Sequence, residues 1–296
     1  MIGRKMAWVY VRLVLTTMFW GGSFIAAHVA VASLPPVVAA FCRFIIACLA
    51  LFILLASTEG LVRPNREQWK FIVGLGLSGI FFYNLFFFKG MQWMTPSRGA
   101  LLMALNPSLT ALVERLLYRR ALTSCRILGI TLSLLGTVWV VSQGDWRHLT
   151  GGGVGWGEFI MLCACLSWVS YTLITRRALT GLSPLANTTY ASLVGTLALL
   201  PFALQQGLLD RLPAMQTKDW MLAAYLGLPG TVIAFLWYAQ GVKAIGAQRT
   251  IIFTNLIPVF GVLLSVLLLG EQLTWPTLLG GALTISGVFL TNRGQA

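Results

Sequence analysis

The side chains able to do chemistry in this sequence are few, and most lie inside long apolar runs. Arg43 stands about seven residues into one run, on the order of 10 Å deep at 1.5 Å of helix rise per residue. A charge at a bilayer centre costs about 3 kcal/mol on insertion scales, so a cation there marks a solute pathway by default. Two roles suit Arg43: meeting a substrate carboxylate, or snorkelling to the outer interface and bonding helix-end carbonyls. His28 and Glu158 are the candidates for proton coupling. The plainer alternatives are a solvated interfacial imidazole and a carboxylate favoured at a helix N-terminus. Glu114, beside Arg115, reads as interfacial, which leaves no buried acid for a proton relay.

Asn106 and Asn255 lie within a helical turn of Pro107 and Pro258. Proline frees a carbonyl and bends a helix, so both sites read as hinges or gates, and an amide in hydrocarbon needs a partner. Trp20, Ser23, Tyr83, Asn84, Ser167, Trp168, Tyr171, Trp237 and Tyr238 complete a candidate cavity lining. For the aromatics, packing against lipid or neighbouring helices is the alternative. The five cysteines are scattered, with no CxxC pair and no histidine spacing that would make a metal site. No cluster of catalytic acids, His or Cys occurs at mid-depth, so an intramembrane enzyme is not expected, and neither is a cofactor.

Elements that hold such residues must be membrane helices. The chain of 296 residues is 57% hydrophobic and 10% charged, with mean hydropathy +0.81, where soluble domains carry about 25% charge. Ten apolar segments qualify as spans: approximately Val11–Ala32, Val37–Ser57, Phe71–Phe88, Ser97–Leu117, Ile127–Ser142, Gly155–Thr175, Pro184–Leu204, Trp220–Tyr238, Thr250–Leu269 and Pro276–Thr291. Their runs are continuous rather than alternating, which predicts helices and not a barrel. Arg4 and Lys5 before a run ending Ala30-Val31-Ala32-Ser33 imitate a cleavable signal, but the run is too long and reads as the first span. The net charge of +13 does not point to nucleic acid, because the basic residues sit in short loops between spans. With the N-terminus inside, Lys89, Arg98, Arg147, Arg211 and Lys218 fall outside and Arg43 within a span. That leaves fifteen of the 21 Lys and Arg on the cytoplasmic side, a bias that puts both termini in the cytoplasm of a bacterial inner-membrane protein.

The chain is also a duplication. One constant offset pairs Trp69 with Trp220, Gly76 with Gly227, Gly79 with Gly230, Arg98 with Arg249 and Pro107 with Pro258. A slightly shorter offset pairs Trp20 with Trp168. Residues 1–150 and 151–296 are the expected repeats, joined at the glycine-rich run that starts at Gly151. No Walker motif accompanies that run, so it reads as a connector. Five helices per repeat is an odd number, so the second copy enters the membrane from the opposite side. Inverted repeats are the architecture of many secondary transporters. Gly129 and Gly136, with Gly280 and Gly287, give helices five and ten the same small-residue face, predicting that the two pack together at the periphery or form a homodimer contact, and do not line the pathway.

The run Phe19-Trp20-Gly21-Gly22-Ser23-Phe24 resembles the opening signature of the EamA-type members of the drug/metabolite transporter superfamily. So do Arg43-Phe44, Asn106-Pro107, Pro258 and Leu269-Gly270-Glu271-Gln272-Leu273-Thr274, and the resemblance covers nearly the whole chain. It implies ten helices, a central cavity and export of amino acids or other small metabolites; length and aromatic content are most similar to the YddG-type amino-acid exporters. The first repeat departs from the pattern, carrying Arg119-Arg120 where the second has Gly270-Glu271. The expected function is alternating-access export of small amphipathic solutes, amino acids foremost, by a protein surrounded by membrane lipid. The alternatives are a multidrug, nucleotide-sugar or sugar-phosphate carrier of the same fold, or a passive channel.

Overall fold

The computed structural model describes residues 2–118, 123–145, 155–178 and 182–293, and no strand occurs among them. The expected connector at Gly151 and the basic pair Arg119 and Arg120 lie outside the described residues. Nine helices among those described are long and apolar enough to span a membrane. These are α1 Met6–Ser33, α2 Pro36–Thr58, α3 Arg66–Met91, α4 Pro96–Leu117, α5 Ser124–Val141, α6 Trp156–Thr175, α7 Pro184–Gln205, α8 Thr217–Ile245 and α9 Arg249–Leu269. A shorter apolar helix, α10 Trp275–Thr291, completes the set. Several run past the expected apolar segments, notably α3 and α8. Their ends are polar capping boxes, built from Asn65 and Gln68 in α3 and from Gln216 and Asp219 in α8, which satisfy first-turn N–H groups in the interfacial layer.

Among the described residues four helices are interrupted, two in each half and at matching places. The α3 ladder widens to π geometry over Gly76–Phe82 and the α8 ladder over Leu228–Ile233. Gly76 and Gly79 lie in the first segment, Gly230 lies in the second with Gly227 just before it, and Pro229 within α8 cannot donate to a regular ladder. In α4 the α-helix stops after Met103 and resumes at Asn106, and in α9 it stops after Phe253 and resumes at Leu256. Leu105 N–H bonds Leu102 O (3.1 Å) and Ile257 N–H bonds Thr254 O (3.0 Å), so the turn before each proline is tightened. Pro107 and Pro258 explain both, because their rings displace the carbonyl four residues back.

The halves meet as counterparts. The offset that pairs Trp20 with Trp168 also pairs Cys48 with Thr196, and Cys48 Sγ lies 3.2 Å from Thr196 Oγ1 where α2 crosses α7. Helices α5 and α10 make the most extensive pairing in the molecule. A Cβ on Gly129 would stand 2.7 Å from Gly287 O, and one on Gly280 would stand 2.6 Å from Gly136 O. These two contacts are each other's image under the repeat, as a two-fold relation requires. The small-residue faces of α5 and α10 therefore close on one another within the chain, but α10 is not confined to the periphery, since Ile285 and Val288 line the central cavity.

Candidate functional site

A cavity of about 560 Å³ lies between the halves, within the range of about 300–1,000 Å³ typical of small-molecule sites. Trp20 and Ser23 of α1, Arg43 of α2, Tyr83 and Asn84 of α3, and Asn106 and Pro107 of α4 line it from the first half. Trp168 and Tyr171 of α6, Tyr238 of α8, and Asn255 and Pro258 of α9 line it from the second. Ser167 and Trp237 do not. Each is one residue, about 100° of helix rotation, away from a lining neighbour. The Ser167 hydroxyl instead donates to Cys163 O at 2.9 Å, and the Trp237 indole packs 5.9 Å from Phe19 with the Arg12 guanidinium over its ring. Thr110, Thr172, Thr175, Asn187, Phe235 and Thr254 line the cavity and were missed. Thr172 and Thr175 repeat one turn on from Trp168 and Tyr171, so helical spacing alone would have found them.

The aromatic lining is organised in two corresponding groups. Trp20 stands against Phe235 and Tyr238, with ring centroids 5.8 and 5.5 Å apart. Its counterpart Trp168 stands against Tyr83 and Tyr171, both at 5.1 Å. Tyr83 in turn stacks on Phe87 at 5.5 Å. Such rings present flat apolar faces to a solute while their N–H and O–H groups remain available at the edges.

Arg43 is 7% exposed and sits on the cavity wall rather than snorkelling outward. Its Nε and Nη2 donate to Thr231 Oγ1 at 3.2 and 3.1 Å, and its Nη1 donates to Asn84 Oδ1 at 3.2 Å. Both acceptors depend on the π segments. Thr231 lies inside the α8 segment and its hydroxyl donates to Leu226 O (2.9 Å). Asn84 follows the α3 segment and its Nδ2 donates to Ile80 O (2.7 Å).

The cavity is placed toward one end of the bundle. Its lining reaches Thr175 at the close of α6, Pro184 at the start of α7, Val242 near the close of α8 and Ile251 near the start of α9. That end, where α2 finishes and α3 begins, is the lower one. The upper end, where α1 finishes and α2 begins, is latched by polar pairs that join the two halves. Arg98 Nη2 meets Glu158 Oε1 at 2.7 Å between α4 and α6. The hydroxyl of Ser97 donates to Glu271 Oε2 at 2.9 Å, and Ser265 donates to the same oxygen. Ser33 Oγ donates to Asp219 Oδ1 at 2.6 Å. His28 Nδ1 donates to Met91 O at 3.0 Å, tying α1 to α3 at the same level. His28 and Glu158 thus lie at the upper end, off the cavity wall.

Glu158, Glu114 and Asp219 are 5%, 6% and 7% exposed, so the expectation that no acid is buried is corrected. Glu158 and Glu114 meet basic partners on other helices, Glu114 Oε2 lying 3.9 Å from Arg126 Nη2. Asp219 takes a serine hydroxyl and the Gln216 N–H. Linear spacing cannot reveal such partners. No group of three or more His, Cys, Asp or Glu that could hold a metal occurs among the described residues.

The EamA-like transporter family model matches this chain twice, over residues 7–142 and 155–293, once per half. The uncharacterized transporter YyaM of Bacillus subtilis (strain 168) is 31% identical over 97% of this chain and 93% of its own length. The probable terminal-alkyne amino-acid exporter of Streptantibioticus cattleyicolor is 27% identical over 95% of this chain and 92% of its own. A solved crystal structure shares the fold, with a TM-score of 0.62 at 17% identity over 93% of this chain and 97% of that one. Apolar helices built on a repeated pattern and two family matches that between them cover both repeats agree with one another: the chain belongs to the EamA-like transporter family.

Proposed function

We propose that the chain exports small amphipathic metabolites, neutral or aromatic amino acids foremost, across a bacterial inner membrane by alternating access, with both termini cytoplasmic. The observation that carries the reading is a cavity at the seam of two corresponding halves, aromatic on its walls and latched at one end. In this orientation the latched upper end faces outward and the cavity opens toward the cytoplasm, where an exporter loads its solute. Exchange between corresponding halves about a central site is the mechanism inverted repeats support. The relative described as a probable terminal-alkyne amino-acid exporter supports the solute class.

The test is counterflow in proteoliposomes against a panel of labelled amino acids, with and without an imposed pH gradient. Saturable exchange is the expected result, weakened about tenfold or more by Trp168→Ala. Movement of sugar phosphates without any amino acid would overturn the solute class and leave the fold untouched.

A further inference from the structure

Among the described residues lining the cavity, Arg43 is the one with an ionised side chain, and no described carboxylate pairs with it. A guanidinium keeps its charge and carries five N–H donors in a planar fork. Three of them are engaged by Thr231 and Asn84, which leaves one on each terminal nitrogen. A buried ion without a counter-ion is costly to hold, and removing its neutral ligands would make it more so. Here the described residues supply two neutral acceptors and no anion.

We propose that Arg43 is the subsite for a single carboxylate on the transported solute, with Thr231 and Asn84 holding its guanidinium in place from the α8 and α3 π segments. The inference rests on the solute reading above and narrows it. A carboxylate bridging the two terminal nitrogens forms charge-assisted hydrogen bonds of the kind that recognise planar anions. It also restores neutrality to the cavity. A second anionic group finds no cation among the described lining, so dicarboxylates and phosphate esters are disfavoured. The solute's body lies against the ring faces of Trp20, Tyr83 and Trp168. An ammonium finds ring faces and the Asn106 Oδ1, which is buried and has no hydrogen-bond partner. The subsite therefore accepts a zwitterion but does not require one. Because its supports come from opposite halves, Arg43 senses their relative position while holding the solute.

The experiment measures equilibrium binding of labelled 3-phenylpropanoate and its uncharged amide, 3-phenylpropanamide, to the full chain in lipid nanodiscs. Wild type should prefer the carboxylate by about 10–100-fold, as charge-assisted bonds do. Arg43→Gln should reduce the preference to about threefold or less, and Arg43→Lys should keep part of it. Thermal unfolding shows whether each variant is folded. Equal binding of acid and amide by wild type overturns the subsite whatever the variants do, as does a folded Arg43→Gln that keeps the preference. Amino-acid counterflow is followed in parallel. Flux without acid preference removes the subsite and keeps the transport reading, whereas acid preference without flux does the reverse.

Discussion

Two contacts of the molecule share a backbone and differ in chemistry. In one, α7 of the second half crosses α3 of the first, and a Cβ on Gly76 would stand 2.7 Å from Ala191 O. In the other, α2 of the first half crosses α8 of the second, and a Cβ on Gly227 would stand 2.8 Å from Arg43 O. Gly76 and Gly227 are counterparts in the repeat, and so are Ala191 and Arg43. Gly76 opens one π segment and Gly227 immediately precedes the other, so the approach of backbone to backbone is kept in both halves. Only the second contact carries a charge, and it is Arg43 that reaches the cavity. The two halves carry equivalent backbone contacts, and only one of them carries a charge.

The largest effects are expected at the glycines. Gly76→Ala and Gly227→Ala should each destabilise the protein by about 1–3 kcal/mol, because a methyl group enters a space bounded by backbone. Thermal unfolding in detergent should show similar losses for both, while the Gly227 variant alone also lowers the preference for a carboxylate over its amide. A smaller effect is expected from Thr231→Val, which removes the acceptor of two of the three hydrogen bonds holding Arg43. Its acid-over-amide preference should fall about tenfold with little change in amide binding. Arg98→Gln leaves Glu158 buried without its ion-pair partner and should loosen the upper end. A cysteine replacing the buried Met94 should then react with a thiol reagent about fivefold faster. The smallest change is expected at Ser167→Ala and Trp237→Phe, whose side chains lie off the cavity wall. Flux should stay within about twofold of wild type.

The ten helices and their pairing into halves were legible from apolar runs and from glycine, proline and tryptophan at constant offset, because hydrocarbon admits few alternatives to a helix. The site was legible to the level of a helical face. Trp168 and Tyr171 lie three apart and share the lining, whereas Ser167 is turned away, and only packing fixes such a rotation. Pro107 and Pro258 announced their breaks, since a missing N–H is a local fact. The π segments were foreshadowed by paired glycines, yet their use as supports for Arg43 needed the crossing of α2 with both α3 and α8. Glu158 looked like a simple helix-start carboxylate because Arg98 is remote in sequence. Local chemistry and the α5–α10 packing face could be read off, and polar partnerships across helices could not.

The most direct test of exchange between the halves is to hold the upper end shut. In a chain freed of its natural cysteines, Arg98→Cys and Glu158→Cys are joined by a short bifunctional thiol reagent that a reductant cleaves. Cross-linking should stop amino-acid counterflow while solute still binds from the lower side, and reduction should restore transport. Counterflow at the unlinked rate while the cross-link is intact would contradict that exchange.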